Sequence, residues 1–409
     1  MKHGLKLEEA VADLMKNINL LEGEEIHLVE STGRVLDRTI YAPGNLPDAD
    51  RAAMDGYAVA LENDAPGTRL SVTAEYRISE CPAKAITGSE AALVQTGGQL
   101  PPGTIAVVPH EKTSREKRLL TVLDPIKAGV NIRRAGEDYR LNEVLREAGQ
   151  VVDAGSVGLL AAFGLEKINV VRRPRTAVFH FANNVVDWRT VPEPGYTRDV
   201  NGPMLGSLLS RDGGVLKSIE YAAGREINWI AERLAELGES ADLVICTGGT
   251  YSEAGYDAVM AYEKAGISIL SRNVAVQPGS HTLLGVRNGV PFISLSGNPA
   301  SCMVGYFLLV RPCLLKMQHV DPEAKIVTAK CVNGYEGRFG VRRFIRGRLD
   351  FNESGWQVTV LPGQKPSMIQ SLLDCNALIE VPANQPRIQP GSEVRVVVIH
   401  SSVHRGGFL

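Results

Sequence analysis

Between residues 175 and 315 the chain alternates apolar runs with stretches of helical period, and this alternation leaves few folds open. The runs 176–181, 215–219, 242–246 and 291–295 are apolar enough to be covered on both faces. Between and after them, 203–209, 226–237, 256–265 and 299–315 carry helical spacing. Strands buried on both sides and separated by helices predict a mostly parallel sheet with helices packed on it. In such a sheet ligands bind beyond the carboxyl ends of the strands.

The flanks read differently. From 57 to 123, short β-prone runs (70–76, 91–95, 105–109, 118–123) alternate with Gly and Pro turns, the pattern of a small all-β domain. Helical pattern returns near 141–164, where Asp153 suits a cap for a helix over 156–163 and Gly164 suits its end. After Asp321 the text is again β, with 343–350 and 356–361 flanking an Asn-Glu-Ser-Gly turn as a hairpin. A chain of 409 residues is too long for one core. The start, with Leu7, Ala10, Val11, Leu14 and Ile18 at helical spacing among acidic residues, reads as an amphipathic helix and not as a targeting segment. The longest apolar stretch, 302–315, is broken by Arg311-Pro312 and reads as too short for a bilayer.

Net charge of −2 gives no global pull toward nucleic acid or acidic membranes. Basic runs at 171–175 and 342–348 lack aromatic interleaving and read as strand-face or interdomain charges. Six scattered cysteines without a CxxC pair read as reduced thiols, and eight scattered histidines offer neither a zinc spacing nor a Ser-His-Asp arrangement. The expected protein is cytoplasmic, with no nucleic-acid or membrane partner.

Two turns stand where chemistry belongs. Strand 242–246 runs into Thr247-Gly248-Gly249-Thr250, whose glycines let backbone N–H groups approach an anion. Strand 292–295 runs into Ser296-Gly297-Asn298-Pro299-Ala300-Ser301, where Asn298 suits a cap and Pro299 a first helical position, so free N–H groups would face a phosphate. Each turn alone is explained by ordinary capping. Two of them after two strands of one sheet point to an anion site. Asp199 before Asn201-Gly202-Pro203, the charged turn 133–138, and the Asp-Gly turn in 50–57 are each explained by capping or solvation when read alone.

Read in order, these segments resemble the molybdopterin molybdenumtransferase family, shared by bacterial MoeA and the gephyrin E domain. Ala53-Met54-Asp55-Gly56-Tyr57-Ala58 is similar to its SAMDGYA, 96–108 to TGxxLPxGADAVV, 134–138 to RxxGED and 199–205 to DSNxxML. Segment 242–249 is similar to DLVITTGG, 296–301 to PGNPVS and 367–382 to SxxLxSLxxANxLIxLP. The resemblance runs from about Leu7 to Ile399. It implies a multidomain α/β plus β architecture. An elongated dimerisation domain (1–45 and 140–172) would carry an inserted β-domain (46–139). A MoaB/Mog-like α/β molybdopterin-binding domain (173–322) and a C-terminal β-barrel (323–409) would follow. It further implies a homodimer, a possible molybdopterin adenylyltransferase partner, and insertion of molybdate into adenylylated molybdopterin with Mg²⁺ and release of AMP. By the same resemblance Asn201, Thr247, Gly248, Gly249, Ser296, Gly297, Asn298, Pro299 and Ser301 hold the pterin nucleotide. Asp55, Thr96, Asp138 and Glu253 serve catalysis, reaching one cleft, with Glu253 and Asp257 on the metal.

The departures from the pattern are concentrated in the site. STGDEL is His180-Phe181-Ala182-Asn183-Asn184-Val185, so both acids are amides and bind a cation more weakly. The GGVSVGDYD loop, 248–257, is one residue longer and has Gly255 where an Asp is expected, a role open to Glu253. KPGKP is Gln277-Pro278-Gly279-Ser280-His281, which removes two lysines, and Arg343 replaces the acid usual before Phe344. Losing these charges while keeping the glycine turns leaves three readings open: a divergent enzyme, a paralogue that binds molybdopterin or cofactor without turnover, and a dimeric scaffold.

Overall fold

Strands after Arg175 that are buried on both faces set the architecture. In the computed structural model, which describes residues 2–63, 66–250 and 258–399, the chain forms two compact units. One comprises Met1–Glu24, Gly33–Asp37 and Asn169–Leu409, and the other Glu25–Thr32 and Arg38–Ile168.

The first unit contains a seven-stranded sheet. Its strands are β1 (Lys2–Leu5), β2 (Arg175–His180), β3 (Val215–Tyr221), β4 (Leu243–Thr247), β5 (Ser268–Val274), β6 (Leu283–Arg287) and β7 (Val290–Leu295), in the spatial order β1-β5-β6-β7-β4-β2-β3. The pairs among β3, β2, β4 and β7 are parallel, and β6 is antiparallel to both neighbours. Val178, Leu243, Ile245, Ile293 and Leu295 face one side, against helices Leu7–Met15, Asn201–Arg211 and the long helix from Pro299. Ala177, Phe179, Val244, Cys246 and Phe292 face the other, against Ile227–Ser240 and Ala258–Lys264. Both faces are therefore apolar, as continuous hydrophobic runs require. Sequence reading finds β2, β3, β4 and β7 but not β5, β6 or the four-residue β1, which pairs parallel with β5 and brings the first residues onto this sheet.

The apolar stretch after Pro299 corrects one expectation. Arg311-Pro312 does not interrupt it: Pro299–Gly305, a π-turn at Tyr306–Val310 and Arg311–Met317 run on as one helix of 19 residues. The π-turn widens the backbone just ahead of Pro312, which has no N–H to donate. The helix is long and apolar enough to cross a membrane, yet it is mostly buried in this core, where such composition is equally required.

Strands β8 (Ile326–Cys331), β9 (Arg342–Asn352), β10 (Gly355–Val360), β11 (Ala377–Val381) and β12 (Glu393–Val398) close into a five-stranded barrel in the order β9-β10-β8-β12-β11-β9, and closure leaves no free edge. The expected hairpin is β9–β10. Residues of the late motif hold this barrel. Asn376 accepts from the Leu349 N–H (2.6 Å) and donates to the Leu349 carbonyl (2.8 Å), and Ser371 accepts from the buried Arg346 Nε (2.7 Å). Phe344, Leu378 and Val397 of the barrel belong to the same apolar cluster as the sheet face above.

The second unit holds a six-stranded sheet built from Gly56–Val59, Thr68–Glu75, Glu90–Val94, Ala106–Pro109, Thr113–Glu116 and Leu119–Val122. Its helix, Ala154–Ala162, is capped as expected: Asp153 Oδ1 accepts from the Ser156 N–H at 2.7 Å, and Gly164 follows at φ 73°.

Candidate functional site

The carboxyl ends of β2, β4 and β7 bring the two glycine turns together. The Gly248 N–H donates to the Leu295 carbonyl (3.1 Å), and Asn201 Nδ2 donates to the Gly297 carbonyl (2.8 Å), so helix Asn201–Arg211 is tied to the second turn. Gly249 has φ 68°, and a Cβ there would sit 2.8 Å from Phe181, so the backbone path admits only glycine. Ser296 is half-buried, Gly297 and Asn298 are exposed, and Ser301 is buried. One expectation changes here. Pro299 does open the helix, but the Asn298 side chain makes no capping bond, and the Ala300 N–H is already given to the Pro366 carbonyl (3.2 Å). The barrel loop takes a donor that the sequence left for an anion.

Behind the turns lies a buried polar chain. His180, the last residue of β2, places Nδ1 2.6 Å from Thr247 Oγ1 and Nε2 3.0 Å from Asp199 Oδ2. Asp199 Oδ1 accepts from the Gly202 N–H (2.9 Å), the cap read from sequence, and Oδ2 accepts from the Tyr221 hydroxyl (3.1 Å). The His180 and Tyr221 rings stack at 5.1 Å. Burial works to raise the Asp199 carboxyl, but His180, the Gly202 N–H and Tyr221 outweigh it and hold the group below the usual carboxylate range. Burial, then the Asp199 charge, push Tyr221 well up, so it stays a hydroxyl donor. Burial likewise pushes the neighbouring Cys246 thiol to about 12, which rules it out as a thiolate nucleophile. Sequence reading set the histidines aside for their spacing. Three different strands and a helix start assemble this chain, and the one available signal was a histidine at the end of a buried strand.

A cavity of about 370 Å³ opens beside the second turn. Gln277, Ser280 and His281 line one wall, Ser296, Asn298 and Ser301 another, and Tyr335, Arg343 and Gln364 of the barrel region a third. Thr247, Gly248 and Gly249 are not among its lining residues.

In the second unit Asp55 and Thr96 meet: Asp55 Oδ1 accepts from the Thr96 N–H (2.7 Å) and hydroxyl (2.9 Å), which hold its carboxyl below the usual range. Asp138 pairs with Arg133, and Asp50 accepts from Arg134 Nη1 (2.6 Å) and the Ala135 N–H (2.8 Å). Glu253 and Asp257 lie outside the described residues. Among the described residues no group of three or more His, Cys, Asp or Glu side chains is arranged to hold a metal ion, and Asn183 and Asn184 are exposed amides.

Three family descriptions match successive parts of the chain: "MoeA N-terminal region (domain I and II)" over residues 5–164, "Probable molybdopterin binding domain" over 178–316, and "MoeA C-terminal region (domain IV)" over 329–399. The chain belongs to the MoeA family. Full-length relatives of the MoeA family agree. The molybdopterin molybdenumtransferase of Staphylococcus epidermidis is 28% identical over 97% of this chain and 96% of its own. That of Staphylococcus aureus is 26% identical over 98% and 97%. Two solved structures of the molybdopterin biosynthesis MoeA protein of Pyrococcus horikoshii superpose with TM-scores of 0.85 and 0.80. Both are 26% identical to this chain, covering 98% and 97% of it and 100% of their own. This MoeA-family chain thus has the expected multidomain fold, with a molybdopterin-binding type α/β domain and a C-terminal barrel.

Proposed function

We propose that the protein acts in molybdenum cofactor biosynthesis as a molybdopterin molybdenumtransferase, placing molybdate on adenylylated molybdopterin and releasing AMP. The observation that carries this is the meeting of the Thr247-Gly248-Gly249 and Ser296-Gly297-Asn298 turns at the carboxyl ends of adjacent parallel strands, tied by Asn201. Strand ends of this kind are where open α/β sheets bind nucleotides. Here the turns hold the pterin nucleotide, and Thr247 is kept in one rotamer by His180. Asp55, Thr96 and Asp138 belong to this reading as catalytic residues, as does Glu253. The described residues do not provide a cluster for Mg²⁺, so no step is routed through the ion, and Glu253 with Asp257 are the acids proposed for it. The four-domain division at residues 45, 139, 172 and 322, a homodimer, a cytoplasmic location and an adenylyltransferase partner complete the proposal.

A second reading is favoured by the amides at Asn183 and Asn184: a paralogue that binds molybdopterin or finished cofactor without turnover. AMP release by the purified protein from adenylylated molybdopterin, with Mg²⁺ and with and without molybdate, separates the two. Molybdate-dependent release that disappears in Asp55→Ala and Glu253→Ala supports the transferase. Tight binding without release supports the carrier, and absence of binding removes both.

A further inference from the structure

The loop that leaves β2 carries the one exposed tryptophan of the chain. Trp188 is 48% exposed, whereas Trp229 and Trp356 are half-buried, against Arg225 and Phe351. At its root the loop is fastened to the first glycine turn. The Phe181 N–H donates to the Thr247 carbonyl (3.0 Å), and a Cβ on Gly248 would lie 3.7 Å from the Ala182 nitrogen. Two short parallel strands, Val185–Val186 and Thr197–Arg198, then close the neck of the loop. The Asp199 N–H donates to the Val186 carbonyl (2.8 Å), so the neck ends on the carboxylate that meets His180. Residues 187–196 are thereby held at the carboxyl end of β2, where open α/β sheets bind their ligands.

Within this loop the indole is fixed and not free. Asp187 Oδ1 accepts from the Arg189 N–H and Nε, both at 2.9 Å, and Oδ2 accepts from Nη2 at 2.6 Å. The Thr190 N–H closes the turn on the Asp187 carbonyl (2.9 Å). The Arg189 guanidinium then lies over the Trp188 ring, 5.6 Å from its centre, and leaves the other face open. Asp187 and Arg189 both act electrostatically on Tyr221, which stacks on His180. Arg198 differs from Arg189. It sits opposite Val186 on the neck, is exposed, and among the described residues makes no ion pair, whereas Arg189 is neutralised by Asp187. An ordered indole face in water suits a flat ring, and an unpaired guanidinium beside it suits a phosphate. We propose that Trp188 and Arg198 form a ring-and-phosphate clamp: the indole stacks on a flat heterocycle and the guanidinium pairs with the phosphate joined to it. The proposal rests on the transferase reading, whose substrate joins two flat rings, a purine and a pterin, through phosphates.

The test is titration of the full chain with AMP and with molybdopterin, read by tryptophan emission and by calorimetry. The ligand whose ring stacks should quench the emission, and the quench should vanish in Trp188→Phe while the affinity stays. Trp188→Ala should weaken binding about tenfold, the scale of one base stacked on an aromatic side chain, with the melting curve unchanged. Arg198→Ala should weaken it by about the same factor and flatten its salt dependence. Weakening of AMP binding marks the purine as the stacked ring, and weakening of molybdopterin binding alone marks the pterin; both support the clamp. Unchanged affinity for both ligands in Trp188→Ala or in Arg198→Ala overturns it and leaves the transferase reading standing, as does a quench that survives Trp188→Phe. A wild-type chain that binds neither ligand overturns the transferase reading and the clamp with it.

Discussion

The motif residues of the two units are held in opposite ways. At the ends of β2 and β4, His180, Asp199 and Thr247 are each almost fully buried and locked to one another. In the second unit Asp50, Asp55, Thr96 and Asp138 lie at or near the surface and hold turns through backbone N–H groups or arginines. A residue in a motif segment can thus serve in two ways: in a buried polar chain whose loss is a folding event, or in an exposed turn whose loss is felt only in what the turn presents.

The contrast can be broken most directly at Asp199. Asp199→Ala strands His180, Tyr221 and the Gly202 N–H in an apolar interior, and chemical denaturation should show a loss of about 3–5 kcal/mol. Gly249→Ala comes next, since the new methyl meets Phe181 on a left-handed backbone, and should cost about 1–3 kcal/mol. Thr247→Val removes the partner of His180 Nδ1 at constant shape and should cost about 1–2 kcal/mol. The acid limb sharpens the same point. Asp199 is held below the usual carboxylate range, so its contribution is present above about pH 4 and is lost as the pH falls through its depressed value. Asp199→Asn should flatten that limb, and an unchanged limb would show that the carboxyl is not coupled to folding. The smallest effect belongs to the other side of the comparison. Asp55→Ala should leave the melting curve where it is while AMP release disappears, and a large melting shift would place Asp55 with the buried set.

Much of the fold is legible because its signals are local. Continuous apolar runs announce β2, β3, β4 and β7, and Asp153 and Gly164 bracket their helix as expected. The antiparallel β5 and β6 and the short β1 escape because their burial depends on neighbours distant in sequence. The glycine turns are legible for the same reason as the strands, since a left-handed backbone narrows the residue choice. His180 is not, because its partners sit 19 and 67 positions downstream. Nor does the sequence tell that the Pro366 carbonyl would occupy the Ala300 N–H.

The bond between the Ala300 N–H and the Pro366 carbonyl has a mechanical consequence. It ties the first turn of the long helix to the loop between β10 and β11, so a strain applied to the barrel is felt at the second glycine turn.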